Sequence, residues 1–465
     1  MDCNGLQDVV SSGCDERLFL NPKTGRNKYY LNPLDFHDVH YRGSCTCGSL
    51  TPFTQPIAVS ALQRIQCSGQ SELDQWAQEQ CDRLQQLIGD NVAFDVFFGP
   101  SGSDLLYLPL LFQKVLSRQP LLNIVSCPEE LGSGSNLAAE GRYHSENGPF
   151  DDFFEKGEQL SSDLNPRVVR LGARSTDGRI RSRHEEVHQV LSSYPGHSAI
   201  VNLVYGSKSG IEDDLNIIDP ERNVLWTVDL CQFRADPLLI QELLAKGAMV
   251  LITGSKFYNA PPFCGALLVP CTWTDRLRGV DVSAFAMLSK IFARNDIPGH
   301  LEHVRQQFCY GNNSGLRLRW DCALAEMEAY DRLDKEKANQ VIQSWNQAVL
   351  NALGEAEFFE LMPDQEATNA SIISFRVISG GEYFSHEELQ ALFASFVQRE
   401  FANHYSFSRV FIGQPVRYGD RSFIRFALGS WAVRQLANTA AQDWRAEYEM
   451  VDALACEVDA FERGR

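Results

Sequence analysis

The chain has 465 residues, of which 44% are hydrophobic, and its formal net charge is −18. Its length allows two or three domains with a full hydrophobic core. The acidic balance gives no electrostatic basis for binding nucleic acid. No run of eighteen apolar residues occurs and the first thirty residues lack the apolar core of a signal peptide. We therefore expect no membrane partner and a cytoplasmic location.

The cysteines indicate a reducing environment. Thirteen of them, an odd number, occur in a long chain without small-domain character, which favours free thiols over a disulfide framework. The tight pair in Cys45-Thr46-Cys47 has no second pair at zinc spacing, so we predict no metal site.

Residues 1–55 are rich in Asn, Gly, Pro and Asp and predict an extended N-terminal arm. A large domain is predicted at 56–320, because a helix over Ser71 to Ile88 is followed by short apolar runs that alternate with helical patterns. These runs predict strands at 92–98, 123–126, 168–171, 200–204, 224–228, 249–252 and 265–269. The alternation is typical of an α/β protein.

The C-terminal part has a different pattern. Residues 281–353 are predicted to be mainly helical around a Gly- and Asn-rich loop at 311–315, and linking helices are placed at 321–354. Residues 355–465 predict a small α+β domain, with strands at 372–377, near Val410 and at 423–428, and helices over 386–401 and through Val451.

Two adjacent strand ends of the large domain carry polar residues. The apolar run 224–228 ends at Asp229, with Gln232 three residues on, and the run 249–252 leads into Thr253-Gly254-Ser255-Lys256. Pyridoxal 5'-phosphate (PLP) requires this set of side chains. Lysine holds the aldehyde as a Schiff base, a carboxylate keeps the pyridine nitrogen protonated, and hydroxyls take the phosphate.

The first strand of the large domain leads into a turn of small residues. Gly99-Pro100-Ser101-Gly102-Ser103-Asp104 precedes an apolar helix that starts near Leu105. Such a turn presents backbone N–H groups and the positive end of a helix dipole to an anion. Gly102 and Ser103 are therefore candidate ligands of the cofactor phosphate.

These motifs together resemble fold type I PLP-dependent enzymes, specifically the class V aminotransferase and cysteine desulfurase group. Asp229 and Gln232 stand where members carry Asp-x-x-Gln or Asp-x-x-Ser, and residues 253–256 stand where they carry Ser/Thr-x-His/Ser-Lys. The resemblance implies a mostly parallel seven-stranded sheet with helices on both faces, a smaller C-terminal α+β domain and a homodimer.

The resemblance also implies roles for residues outside the motifs. Asn202 lies near the position where members carry an Asn beside the cofactor's phenolic oxygen. N-terminal segments of members often border the active site, so Arg42 and Ser44 are candidate substrate contacts. Arg425, or alternatively Arg421, would bind the substrate carboxylate, because a guanidinium group can donate two parallel hydrogen bonds to a carboxylate. Residues 127–135 lack the expected His or aromatic that stacks on the ring, which leaves Leu131, Tyr143 or His144.

The implied reaction begins from a Lys256-bound internal aldimine and acts on a small α-amino acid, by aminotransfer or by a carbanion-type lyase or bond-forming step. No cysteine lies between Cys322 and Cys456, which predicts against a persulfide-forming desulfurase unless Cys45 or Cys264 substitutes. The alternative is a catalytically silent relative kept as a binding or regulatory protein.

Overall fold

The structure, a computed structural model, describes residues 3–36, 39–43, 48–89, 91–132, 134–176, 178–234, 236–363, 371–402, 404–418, 421–439 and 442–463. The Cys45-Thr46-Cys47 pair and the candidate substrate contact Ser44 lie outside these ranges. Within them, no helix combines the length and the apolar character that crossing a membrane requires.

The strands fall into two sheets. They are β1 (Val39–Arg42), β2 (Phe94–Gly99), β3 (Leu121–Ser126), β4 (Arg167–Leu171), β5 (Ser198–Val204), β6 (Val224–Leu230), β7 (Met249–Thr253), β8 (Gly265–Pro270), β9 (Phe359–Leu361), β10 (Ile372–Ser379), β11 (Glu382–Tyr383), β12 (Arg409–Val416) and β13 (Phe423–Ala427).

The helices vary from one turn to more than five turns. They are α1 (Cys3–Val10), α2 (Gln55–Cys67), α3 (Gln70–Ile88), α4 (Tyr107–Leu116), α5 (Ser135–Ala138), α6 (His184–Ser193), α7 (Pro237–Ala245), α8 (Cys271–Thr274), α9 (Glu302–Arg305), α10 (Ser314–Asp331), α11 (Lys335–Glu355), α12 (His386–Gln398), α13 (Ser430–Ala437) and α14 (Arg445–Arg463).

The larger sheet has seven strands in the order β2-β8-β7-β6-β5-β3-β4. β7, β6, β5, β3 and β4 are parallel, whereas β8 is antiparallel to both of its neighbours. Consecutive strand residues such as Phe97 and Phe98 point to opposite faces and belong to different apolar clusters, so both faces of the sheet are covered. Burial on both faces explains the continuous apolar runs in the sequence, and the predicted fold class is confirmed.

The carboxyl ends of β3, β5, β6 and β7 meet at one edge of this sheet, because these strands are parallel and adjacent. In β6 and its neighbours the register pairs Asp229 with Val204 of β5 and with Leu251 of β7. Ligands of open α/β sheets bind outside this edge. The sheet therefore gathers loops that are far apart in the sequence.

The smaller sheet has the order β1-β12-β13-β10-β11, and β9 also pairs with β10. Its pairs are antiparallel except that of β1 with β12. Residues of α11, α12 and α14 pack with it in a separate apolar cluster. An α+β unit thus follows the large sheet, as predicted, and the boundaries at 55, 320 and 354 stay predictions.

The N-terminal segment is more structured than its composition indicates. It forms α1 and then β1, which pairs with β12 some 370 residues later. Arg319 of α10 donates hydrogen bonds to the carbonyl oxygens of Val10 (3.1 Å), Ser12 (2.5 Å) and Gly13 (3.1 Å) and so satisfies the end of α1. These partners are distant in sequence, which is why local patterns predicted an extended arm.

The region from Asp281 to Asn313 is less helical than predicted. It consists of turns, short 3₁₀ segments and the single turn α9, and a long helix begins at Ser314. The side chain of Asn313 caps that helix by accepting a hydrogen bond from the backbone nitrogen of Leu316 at 3.0 Å. The apolar residues of 281–301 join the same cluster as α4, partly from short 3₁₀ segments.

Glu447 of α14 is a buried carboxylate that ties this helix to the N-terminal strand β1 of the smaller sheet. Arg42 Nε donates to its Oε1 at 2.9 Å, and His40 Nε2 lies 3.3 Å from its Oε2. Burial raises the pKa of Glu447, but Arg42 and His40 outweigh burial and lower the pKa from 4.5 to about 2. This carboxylate therefore adds stability above pH 4.5 that is lost as the pH falls toward 2.

Replacing Glu447 by glutamine is expected to lower the free energy of unfolding by about 3 kcal/mol at neutral pH, because Arg42 stays buried without its carboxylate. The difference from the wild type should shrink as the pH falls, since wild-type Glu447 then loses its charge. Urea unfolding from about pH 7 to about pH 3 measures this. The exposed Asp452→Asn on the same helix is the control. A constant difference across the pH range would contradict the prediction.

Candidate active site

A cavity of about 930 Å³ is lined by strand ends of the larger sheet, by the N-terminal segment, and by α12, β12 and β13. Eight of the ten predicted site residues line it: Gly102, Ser103, Asp229, Gln232, Thr253, Ser255, Lys256 and Arg425. Asn202 and Arg421 are not among its lining residues. The fold thus brings together polar groups from four widely separated parts of the chain.

Asp229 and Gln232 are fixed by the turn after β6. Asp229 Oδ1 accepts a hydrogen bond from the backbone nitrogen of Cys231 at 2.7 Å. Gln232 is 3% exposed, and its Oε1 accepts a hydrogen bond from Arg234 Nη1 at 2.7 Å. Because the amide oxygen of Gln232 is engaged, the group that it offers to a ligand is the amide N–H.

The Thr253 to Lys256 turn is held against β6 and α10. Thr253 Oγ1 donates to the carbonyl oxygen of Cys231 at 2.7 Å and so joins the ends of β6 and β7. A Cβ on Gly254 would lie 2.3 Å from the Cβ of Ala323 in α10, so the close approach of this helix requires glycine. Lys256 is half-buried, and both Lys256 and Asp229 act electrostatically on the Cys231 thiol between them.

The small-residue turn after β2 passes close to the same strand ends. A Cβ on Gly102 would lie 2.9 Å from Cys231 Sγ and 3.3 Å from Thr253 Cγ2, so no side chain fits between the turn and the strands. Ser103 Oγ lies 3.0 Å from the Oγ of Ser135, which also lines the cavity. Ser135 was not predicted, because its loop after β3 carries no local signal for this contact.

Arg17 is a second residue that the sequence did not single out. Its Nε donates to Asp15 Oδ1 at 2.7 Å, and its Nη2 donates to Ser101 Oγ in the turn at 3.3 Å. The guanidinium carbon lies 4.2 Å from the ring centroid of Phe263. Burial raises the pKa of Asp15, but Arg17 outweighs it and lowers the pKa to about 2. The N-terminal segment thus holds an ion pair beside the turn.

The two candidate carboxylate arginines occupy different places. Arg425 of β13 lines the cavity, is 2% exposed, and donates from Nη1 to the carbonyl oxygen of Gln414 at 3.1 Å. Its Nε is buried without a hydrogen-bond partner, and it forms no ion pair with a described carboxylate. Arg421 instead packs beside Gly178, where an added Cβ would lie 2.5 Å from its Nη1.

Asn202 lies inside the larger sheet and does not reach the cavity. Its Nδ2 donates to Asn123 Oδ1 at 2.6 Å and to the carbonyl oxygen of Ile124 at 3.1 Å. Its Oδ1 accepts a hydrogen bond from Thr227 Oγ1 at 2.7 Å. The residue stands two positions before the end of β5, so its side chain joins neighbouring strands instead of the strand-end loops.

The three candidates for covering a cofactor ring are also separated. Leu131 lines the cavity. His144 Nε2 lies 2.9 Å from Asp104 Oδ1 in a small polar cluster with Asp15, and Tyr143 stacks on Phe154 with ring centroids 4.2 Å apart. An aliphatic side chain, that of Leu131, is therefore the one of the three that faces the cavity.

Arg234 connects the β6 turn to the smaller sheet. Besides its bond to Gln232, its Nε donates to Ser371 Oγ at 2.6 Å, and its guanidinium lies 5.1 Å from the ring centroid of Phe257. Burial and the nearby Arg425 lower the pKa of Arg234 to about 9. A guanidinium in this position links Gln232 to the unit that carries Arg425.

Several solved structures are similar to this one. Alanine–glyoxylate aminotransferase from Nostoc sp. is 16% identical, with a TM-score of 0.54 over 93% of this chain and 97% of that chain. Cysteine desulfurase CsdA from Escherichia coli is 13% identical, with a TM-score of 0.55 over 91% and 94%. TDC from Oryza sativa, solved with PLP and tryptamine, is 12% identical, with a TM-score of 0.55 over 90% and 84%. No protein-family model and no curated protein matches the sequence.

At these identities the likeness shows the fold. The chain shares its fold with these structures, one of which was solved with PLP, as the resemblance of its motifs implied. The similar structures include an aminotransferase and a desulfurase, so the fold leaves the reaction open.

Proposed function

We propose that this protein is a PLP-dependent enzyme that acts on a small α-amino acid, by aminotransfer or by a carbanion-type lyase or bond-forming reaction. One observation carries the proposal: Lys256, Asp229, the Gly102-Ser103 turn and Arg425 line a single cavity. These groups are the ones that a lysine-linked pyridine cofactor and an amino-acid carboxylate require.

The cavity fits the cofactor in size and chemistry. Its volume of about 930 Å³ leaves room for PLP and a small amino acid together. Gly102 and the hydroxyl residues Ser103 and Ser135 belong to its lining, an arrangement suited to a phosphate group. The guanidinium of Arg425 belongs to the same lining and suits the carboxylate of an amino acid.

The side chains have distinct roles in this proposal. When bound, PLP supplies an electron-withdrawing ring that stabilises charge on the substrate carbon. Asp229 would keep a proton at the pyridine nitrogen, and the Gln232 amide would be available to the cofactor's phenolic oxygen. Lys256 Nζ would hold the cofactor covalently and carry protons to and from the substrate carbon. Leu131 would be the apolar side chain beside the ring.

Arg425 orients the substrate. A buried guanidinium binds a carboxylate by two parallel hydrogen bonds, and that pairing is strong because few waters compete. The position of Arg425 in β13 then fixes the amino group of the substrate relative to Lys256. Arg421 has no part in this arrangement, because it packs beside Gly178 instead of lining the cavity.

Persulfide chemistry is excluded from the proposal, because it requires an accessible thiolate. Cys231 lines the cavity, but burial and Asp229 raise its pKa well above the ordinary value. Cys264 is fully buried, and burial raises its pKa to about 12. Cys45 lies outside the described residues. Cysteine incubated with the enzyme should therefore release no sulfane sulfur, and its release would overturn this part.

The proposal is tested by reconstituting the protein with PLP and recording its visible absorbance, then adding single amino acids. Keto acid and the pyridoxamine form together identify aminotransfer, whereas ammonia, carbon dioxide or a coupled product without the pyridoxamine form identifies the other reaction types. A protein that binds PLP without a lysine-linked absorbance band would be the silent relative. The proposal also includes a homodimer and a cytoplasmic location, which sedimentation and cell fractionation test.

Replacing Arg234 by methionine is expected to weaken PLP retention about tenfold, because Gln232 loses the donor that holds its amide. The measurement is the dialysis half-life of the cofactor absorbance. Arg434→Met is the matched control, since Arg434 pairs with Glu326 at 2.7 Å away from the cavity and its loss should affect stability alone. Equal retention in both variants would contradict the role of Arg234.

A further inference from the structure

The cavity is far more cationic than the protein that contains it. The chain has a formal net charge of −18, yet among the residues that the structure describes six cations and two acids line the cavity. The acids are Glu129 and Asp229. The cations are Arg17, Lys28, Lys208, Lys256, Arg417 and Arg425.

The proposed cofactor and the α-carboxylate use only some of these charges. Lys256 and Asp229 serve the cofactor, Arg17 is already paired with Asp15 beside the phosphate turn, and Arg425 serves the α-carboxylate. Lys28, Lys208 and Arg417 remain without a role. They come from the N-terminal segment, from the loop after β5 and from the end of β12, and they converge on the same cavity.

Lys208, Arg417 and His386 form a group, which we call the mouth cluster, between the loops of the larger sheet and the start of α12. Lys208 Nζ donates to the carbonyl oxygen of Glu129 at 3.4 Å, and Arg417 pairs with Glu387 while it stays 62% exposed. His386 also lines the cavity, and its Nδ1 is buried without a hydrogen-bond partner. The mouth cluster thus places two cations and a histidine at the cavity wall.

The field around these groups is positive. Burial lowers the pKa of His386, and Arg417 and Lys208 lower it further, with a smaller opposing effect from Glu387. Burial and Arg17 likewise lower the pKa of Lys28, against the smaller effects of Asp15 and Glu16. Two described carboxylates offset part of this field: Glu129, whose Oε2 accepts a hydrogen bond from the backbone nitrogen of Ala173, and Glu387, which pairs with Arg417. An anion bound here would relieve this repulsion.

We infer that the substrate is an α-amino acid whose side chain carries an anionic group, a carboxylate, phosphate or sulfonate, and that the mouth cluster of Lys208, Arg417 and His386 binds this group. The inference rests on the proposed function and adds the substrate class to it. Arg425 then binds the α-carboxylate of the substrate, and the mouth cluster binds the anionic group of its side chain. A neutral side chain would gain no electrostatic attraction from the mouth cluster.

The test compares isosteric amino acids that differ in side-chain charge: aspartate with asparagine, glutamate with glutamine, phosphoserine with serine, and cysteate with cysteine. The PLP-loaded protein is titrated with each, and the dissociation constant is read from the change in cofactor absorbance, so that no turnover is required. The anionic member of at least one pair should bind about tenfold or more tightly. The pair with the largest ratio identifies carboxylate, phosphate or sulfonate as the group recognised.

The double variant Lys208→Met, Arg417→Gln should reduce that ratio to near one while the neutral amino acid binds as before. The matched control is Lys335→Met, Arg445→Gln, which removes two exposed cations far from the cavity and should leave the ratio unchanged. Equal binding of charged and neutral partners in the wild type, or an unchanged ratio in the double variant, would overturn the inference while leaving the proposed function intact. A protein without a cofactor band would overturn both.

Discussion

Lys256→Ala is expected to abolish the visible absorbance of lysine-linked cofactor and to lower the rate of any amino-acid reaction by about 10³-fold or more. The side chain has two roles, since it holds the cofactor covalently and moves protons at the substrate carbon. Alanine removes both roles without crowding the cavity, because Lys256 is half-buried at its wall. Absorbance spectra of the reconstituted proteins and single-turnover rates measure the two losses separately.

Lys256→Arg separates charge from covalent attachment. It keeps a cation in place but cannot form the bond, so the band should be lost in this variant as well. Lys335→Ala on the surface of α11 is the control and should keep both the band and the rate. If Lys256→Ala kept the band, another lysine would hold the cofactor and the assignment of the strand-end motif would be wrong.

Arg425→Met is expected to raise the KM for amino-acid substrates about 100-fold and to change kcat less, because the α-carboxylate loses a buried, two-pronged partner. The effect should be large because the surroundings of Arg425 exclude water, with 2% of the residue exposed. It should apply to every amino acid tested, since every one has the α-carboxylate. Initial rates as a function of substrate concentration measure it.

Arg421→Met is the matched control, since it lies in the same segment but away from the cavity lining. Its KM should stay within about twofold of the wild type. A larger effect from Arg421 than from Arg425 would reverse the assignment of the carboxylate arginine. Equal and small effects would place the substrate carboxylate on another cation of the cavity.

The strands and loops that carry the strand-end motifs were predictable from the sequence, because they depend on local patterns. An apolar run that ends in Asp229 and another that ends in Thr253 indicate buried strands and polar loops without knowledge of the rest of the chain. Parallel pairing of β6 and β7 then brings both loops to one edge of the sheet. The small-residue turn at Gly102 was recognisable for the same reason, since a strand, a turn and a helix follow one another directly.

Predictions that depended on exact position stay predictions. Asn202 lies on the predicted strand, but it stands two residues before the strand end and bonds to Asn123 and Thr227. In a strand, a shift of one position moves a side chain to the other face of the sheet. A position known only to within a residue or two therefore does not show which groups the side chain contacts. Arg421 and Arg425 matched different motif patterns in the sequence. They are only four positions apart, yet Arg425 lines the cavity and Arg421 lies beside Gly178.

By itself the sequence determined the fold class, the order of the strand-end motifs and the residue types that suit PLP. These features follow from burial and turn chemistry over a few neighbouring residues. The tertiary structure alone decided that Arg17, Arg234 and Ser135 surround those motifs, and that the cations of the mouth cluster converge on a cavity in an acidic protein. Their positions depend on contacts between segments that lie tens to hundreds of residues apart, and no local pattern encodes such distances.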